Sequence, residues 1–89
     1  MDLMEEFLEE VACVNSEAQY PTDLKEAIIG TVERFGMSTL ILLDKEKCLE
    51  IFMERDGMSP EEAQEYFDFN VIGSWVGEGT PCFATLLDK

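Results

Sequence analysis

The sequence predicts an α+β fold, predominantly helical, with about four helices and a small two-stranded sheet. Three observations carry this. Apolar residues recur at helical spacing in four stretches, each opened by a residue able to cap a helix. Residues 37–43 hold the run Leu40-Ile41-Leu42-Leu43, too short for a helix between its flanks and suited to a buried strand. Residues 82–87 form a second apolar run, its natural partner. At 89 residues the chain reads as one compact domain spanning 1–89, and its 46% hydrophobic content argues against disorder despite the charge.

In chain order, Leu3, Phe7, Leu8, Val11 and Val14 mark the first helix, with Asp2 at the cap and Glu5 at the third helical position. Glu5, Glu6, Glu9 and Glu10 lie on its opposite side. Residues 15–21 form a polar connection. Thr22-Asp23 opens a second helix whose buried face is Leu24, Ala27, Ile28, Val32 and Phe35, with Gly30 inside it and Gly36 at its end. After the strand, Asp44 caps a third helix with Cys48, Leu49, Phe52 and Met53 inward, ended by Gly57. Glu46, Glu50 and Glu54 make a stripe on it, roughly 6 Å apart along the axis at 1.5 Å per residue. Like charges at that spacing repel, relieved in part by Lys45, Lys47 and Arg55.

The fourth helix has the strongest start. Ser59 is the cap, Pro60 suits the first helical position, and Glu62 completes a capping box. Ala63, Tyr66, Phe67, Asn70, Val71 and Ser74 share one face. Residues 71–76 either continue this helix with a kink at Gly73, the favoured reading, or turn into a strand. Gly77-Glu78-Gly79-Thr80-Pro81 then forms a turn. It lacks the lysine of a phosphate-binding loop and opens no helix, so a structural turn outweighs a phosphate cradle.

Composition bounds the function. Twenty acidic against six basic residues give a net charge of −14, which repels nucleic acid and anionic membranes and attracts basic protein surfaces. Histidine is absent, removing the commonest general base and metal ligand. Carboxylate pairs such as Glu61/Glu62 sit on a solvated first helical turn, not in an apolar pocket that tunes an acid. The expectation is a non-enzymatic protein with no catalytic residues, cofactor or metal. Cys13, Cys48 and Cys82 are unclustered and set among apolar neighbours, so all three are expected to be reduced and buried. The acidic opening Met1-Asp2-Leu3-Met4-Glu5-Glu6 is unlike a signal peptide, and no apolar run approaches the length of a membrane span.

Gly57-Met58-Ser59, Glu61-Glu62-Ala63, Glu65-Tyr66-Phe67, Phe69-Asn70, Gly73, Trp75-Val76-Gly77-Glu78 and Thr80-Pro81 together resemble a group of small uncharacterised proteins encoded by bacteriophages and prophages. Ala27-Ile28-Ile29-Gly30 and Asp44-Lys45-Glu46-Lys47-Cys48 are similar to further parts of that pattern, so the resemblance spans roughly residues 24–83. It implies a setting, an accessory phage protein in the host bacterial cytoplasm, and no catalytic residue.

Three readings follow. The first is an acidic inhibitor that binds a basic surface on a host protein, such as a nucleic-acid-binding defence or regulatory complex, through Glu5, Glu6, Glu9, Glu10, Glu46, Glu50 and Glu54. The second is a small-ligand binder using Tyr66, Phe69 and Trp75 as stacking surfaces and Gly77, Glu78, Gly79 and Thr80 as a backbone cradle. The third, a phage assembly component, has no direct support. A homodimer is compatible with any of them.

Overall fold

The computed structural model describes residues 2–73 and 76–87. Its elements are α1 (Leu3–Val14), a 3₁₀ segment (Thr22–Ala27), β1 (Ile28–Val32), β2 (Leu40–Asp44), α2 (Lys45–Asp56), α3 (Pro60–Asn70) and β3 (Cys82–Ala84). The class is α+β with four helical segments, as the sequence predicts. The sheet is three-stranded and mixed, not two-stranded: β1 pairs antiparallel with β2, and β3 pairs parallel with β2 on its other side.

The third strand comes from the stretch read as a second helix. Leu24 stands at a kink where two short 3₁₀ turns meet, Ala27 ends the second of them, and both are buried. Beyond them Ile28, Ile29, Thr31 and Val32 are β-branched, and burial alternates along β1 as a half-buried strand requires. Gly30 lies at a register shift between Ile28 and Gly30 in the pairing with β2. Phe35, expected in a core, therefore falls in the hairpin connection and is fully exposed. The central strand β2 is buried along nearly its whole length, which explains its unbroken apolar run. Its partner β3 comes from the apolar run of residues 82–87, of which only Cys82–Ala84 pair, with Leu42, Leu43 and Asp44 opposite.

The capping chemistry reads through to the structure. The Asp2 carboxylate accepts from the Glu5 N–H at 2.8 Å, and that of Asp44 from the Glu46 N–H at 3.0 Å. Ser59 and Glu62 close a reciprocal box at 2.9 and 3.2 Å, an arrangement worth about 1 kcal/mol at the cap. Gly57 ends α2 with φ 69°. The proposed kinked continuation of the last helix does not form: α3 stops at Asn70, and residues 71–73 turn away. The Val71 and Ile72 N–H groups both donate to the Phe67 carbonyl, which closes the helix end. Ser74 and Trp75, placed on that continuation, lie outside the described residues.

One core joins every element but β3: Val11, Leu24, Ala27, Ile28, Ile41, Leu43, Cys48, Phe52, Ala63 and Phe67, with Phe83 of β3 packed against it. The Phe67 ring meets Phe83 edge-on at 5.2 Å, tying α3 to β3. Two residues expected on the buried face of α1 are outside the core. Leu3 is 84% exposed and Val14 70%: α1 docks through Val11, with Met4, Phe7 and Leu8 packed beside it, and these two side chains fall outside that face.

The expectation of three buried thiols is also corrected. All three cysteines are free, but Cys13 is exposed on α1, Cys82 is half-buried and only Cys48 is fully buried. Native thiol titration is therefore expected to label Cys13 quickly and Cys48 only on unfolding; rapid native labelling of Cys48 would contradict its place in the core. Burial, helped by the negative charges of Asp44 and Asp23, pushes the Cys48 thiol from 9.0 up to about 12. The fold thus favours the protonated thiol. Between pH 9 and pH 12 the folded chain holds a proton that the unfolded chain releases, so stability falls as pH rises through that window. Denaturant unfolding at stepped alkaline pH should show this slope, flattened in Cys48→Ala; an unchanged slope in that variant would remove Cys48 as its source.

Candidate functional site

α1 contains no lysine or arginine, and the chain from residue 2 to residue 24 has seven acidic residues and no basic one. Glu5, Glu6, Glu9 and Glu10 are all exposed, and among the described residues none of them forms an ion pair. The acidic side of α1 is therefore an unneutralised surface held on a rigid element.

On α2, Glu46, Glu50 and Glu54 are exposed at i, i+4 and i+8, as their spacing requires. The expected relief by three neighbouring cations is partial. Lys47 reaches Glu50 at 3.9 Å, an exposed pair worth little. Lys45 instead lies 5.5 Å over the Phe67 ring, and Arg55 is turned to Asp56 at 2.8 Å and Asp23 at 3.4 Å. The hydrogen bond from Arg55 holds the Asp56 carboxyl below its ordinary range and raises the guanidinium in turn. Glu46 and Glu54 are without an ion pair among the described residues.

The alternative ligand residues divide. Tyr66 and Thr80 line a half-open cleft of about 300 Å³ between α3, the residue 19–23 connection and the residue 76–83 segment. Phe52 forms its floor, and the Tyr66 ring stands edge-on against it at 4.9 Å. Sequence reasoning missed Gln19, Tyr20 and Asp23, which wall the other side. Nothing in the polar run of residues 15–21 signals this, apart from an aromatic residue placed directly before a proline. Phe69 is 80% exposed and outside the cleft, and Trp75 lies outside the described residues.

Gly77, Glu78 and Gly79 do not line the cleft; their loop is held by hydrogen bonds of its own. The Val76 N–H donates to Thr80 Oγ1 at 2.9 Å, that hydroxyl donates to the Gly77 carbonyl at 2.6 Å, and the Thr80 N–H donates to the same carbonyl at 3.1 Å. The Gly79 carbonyl accepts from the Gln19 N–H at 2.9 Å. The Thr80 hydroxyl and N–H are thus engaged within the loop, and Glu78 sets a negative charge where an anion would have to sit. The loop is a structural clamp on the residue 17–19 connection.

Among the described residues no three His, Cys, Asp or Glu side chains come together as a metal site, and no helix is long and apolar enough to cross a membrane. No protein-family model matches the chain, and comparison with curated proteins and with solved structures likewise yields no match.

Proposed function

We propose that this chain is a non-enzymatic acidic accessory protein of phage or prophage origin that acts in the host bacterial cytoplasm. There it binds and inhibits a host protein through a basic surface, such as the groove of a nucleic-acid-binding defence or regulatory complex. One observation carries the reading. All seven glutamates singled out on α1 and α2 are exposed, and six of them have no ion pair among the described residues. The net charge of −14 and the phage-like motifs support it.

Electrostatic recognition of this kind associates fast and weakens as salt rises, because screening acts within about 8–10 Å at ordinary ionic strength. Capture of a host protein from bacterial lysate, followed by affinity measurement across a salt series, is the test. Charge reversal at Glu46, Glu50 and Glu54, or at Glu5, Glu6, Glu9 and Glu10, should weaken binding by at least about tenfold, near 1.4 kcal/mol, without unfolding the domain. An affinity indifferent to salt and to both sets of glutamates would sink the reading.

The cleft favours a second reading. Its volume of about 300 Å³ stands at the lower end of small-ligand sites, and it joins aromatic walls to a few polar groups. A sequestering protein of this kind would tolerate the glutamate reversals and lose its activity in Tyr66→Ala.

A further inference from the structure

A second feature lies beside the acidic face of α1. Leu3, Met4 and Phe7 face Ile28, Ile29 and Gly30 across an apolar groove of about 380 Å³. Leu3 is 84% exposed and Ile29 48%, two large apolar side chains left to water at one place. The groove runs along β1, the terminal strand of the sheet, which has a neighbour on one side only among the described residues.

The charges around this groove select its occupant. Glu6 and Glu10, expected opposite the apolar side, stand nearer to it than Glu5 and Glu9 do: Glu6 follows Leu3 by three positions and Glu10 follows Phe7 by three, which at 100° per residue sets both on the flank of Leu3. Glu5 and Glu9 lie roughly half a turn away. The apolar groove is thus bordered by two carboxylates with no ion pair among the described residues. A second copy of this chain would bring another −14 and its own α1 carboxylates against the same border. A cationic partner neutralises it.

We infer that the α1–β1 groove is the anchoring point for a basic protein segment, seating an apolar side chain of the partner between Leu3, Phe7 and Ile29 while its flanking lysines or arginines meet Glu6 and Glu10. The inference rests on the proposed acidic recognition and makes it local: apolar contact at the centre supplies affinity, and charge at the rim supplies steering and orientation.

The test uses the full chain and three short peptides: lysine–leucine repeats, an all-lysine peptide with the same number of lysines, and glutamate–leucine repeats. The lysine–leucine peptide should bind at least about tenfold more tightly than the all-lysine one, and the glutamate–leucine peptide should not bind. Leu3→Ser with Ile29→Thr, both changes at exposed positions, should erase the margin between the two lysine peptides while the chain keeps its fold. Glu6→Lys with Glu10→Lys should cost at least about tenfold, and Glu5→Lys with Glu9→Lys, which changes net charge equally, no more than about threefold. Equal binding of the two lysine peptides, or equal effects of the two reversal pairs, would overturn the groove. So would sedimentation showing a dimer that Leu3→Ser and Ile29→Thr dissociate. If a captured host protein loses affinity on reversal of Glu46, Glu50 and Glu54 but not of Glu6 and Glu10, the groove assignment fails while the acidic recognition stands. Capture indifferent to salt and to every glutamate removes both.

Discussion

Phe52→Ala is expected to leave little folded protein. Phe52 is 1% exposed, belongs to the single core, and holds the Tyr66 ring edge-on at 4.9 Å and the Arg55 guanidinium 5.8 Å from its own ring centre. Removing a buried phenylalanine costs about 3–5 kcal/mol through lost transfer energy and the cavity left behind. A domain of this length holds about 4–13 kcal/mol in all, at roughly 0.05–0.15 kcal/mol per residue. The substitution therefore removes most of the margin at its lower end. Phe69→Ala is the matched control, because Phe69 is 80% exposed and should shift stability by no more than about 0.5 kcal/mol. Urea denaturation of the two variants beside the parent chain gives the comparison. A Phe52→Ala chain as stable as the parent would mean that the α2–α3 core does not hold the fold. Because Phe52 also floors the cleft, a loss of ligand binding in this variant says nothing about the cleft, and Tyr66→Ala serves that purpose.

The elements legible in the sequence are those in which local chemistry and tertiary context agree. α1, α2 and α3 each begin at a side chain that caps the first turn, and that interaction is made within four residues. β2 was legible because a central strand covered on both faces reads as an unbroken apolar run. The misreading of residues 22–36 has a physical origin. Leu24, Ala27, Ile28, Val32 and Phe35 satisfy a helical period by coincidence, while the demand that overrides it, a partner for the second edge of β2, lies about ten residues further on. The β-branched run Ile28-Ile29 followed by Thr31-Val32 was the available signal.

The acidic surface was legible in a different sense. Charged residues opposite an apolar stripe are exposed almost wherever a helix docks, so the exposure of Glu46, Glu50 and Glu54 followed from spacing alone. Their ion pairing did not. Which cation reaches which carboxylate depends on side-chain direction, and Arg55 turns from Glu54 toward Asp56 and Asp23. The cleft could not be read either. It joins Tyr20 to Tyr66 and Thr80, residues far apart in the chain, through a fold that the local pattern does not encode.

Gly79→Ala should be the most damaging single-methyl change in the chain. A Cβ added at Gly79 would stand 1.8 Å from the Glu17 carbonyl oxygen and 2.7 Å from its carbon. Both atoms are backbone, so no side chain can swing aside. The residue 76–81 loop must lift from the residue 17–19 connection, and the Gln19 N–H bond to the Gly79 carbonyl at 2.9 Å is lost with it. Overpacking of this kind costs about 1–3 kcal/mol, and the broken hydrogen bond adds about 1 kcal/mol. Gly77→Ala separates close approach from conformation. Gly77 has φ 104° and open space around an added Cβ, so that variant bears backbone strain alone, about 1–2 kcal/mol. The expected order of stability is parent, then Gly77→Ala, then Gly79→Ala, by chemical denaturation. Amide exchange supplies the local readout: Gln19 should lose protection in Gly79→Ala and keep it in Gly77→Ala. A Gly79→Ala chain that retains both its stability and the Gln19 protection would show that this clamp does not form.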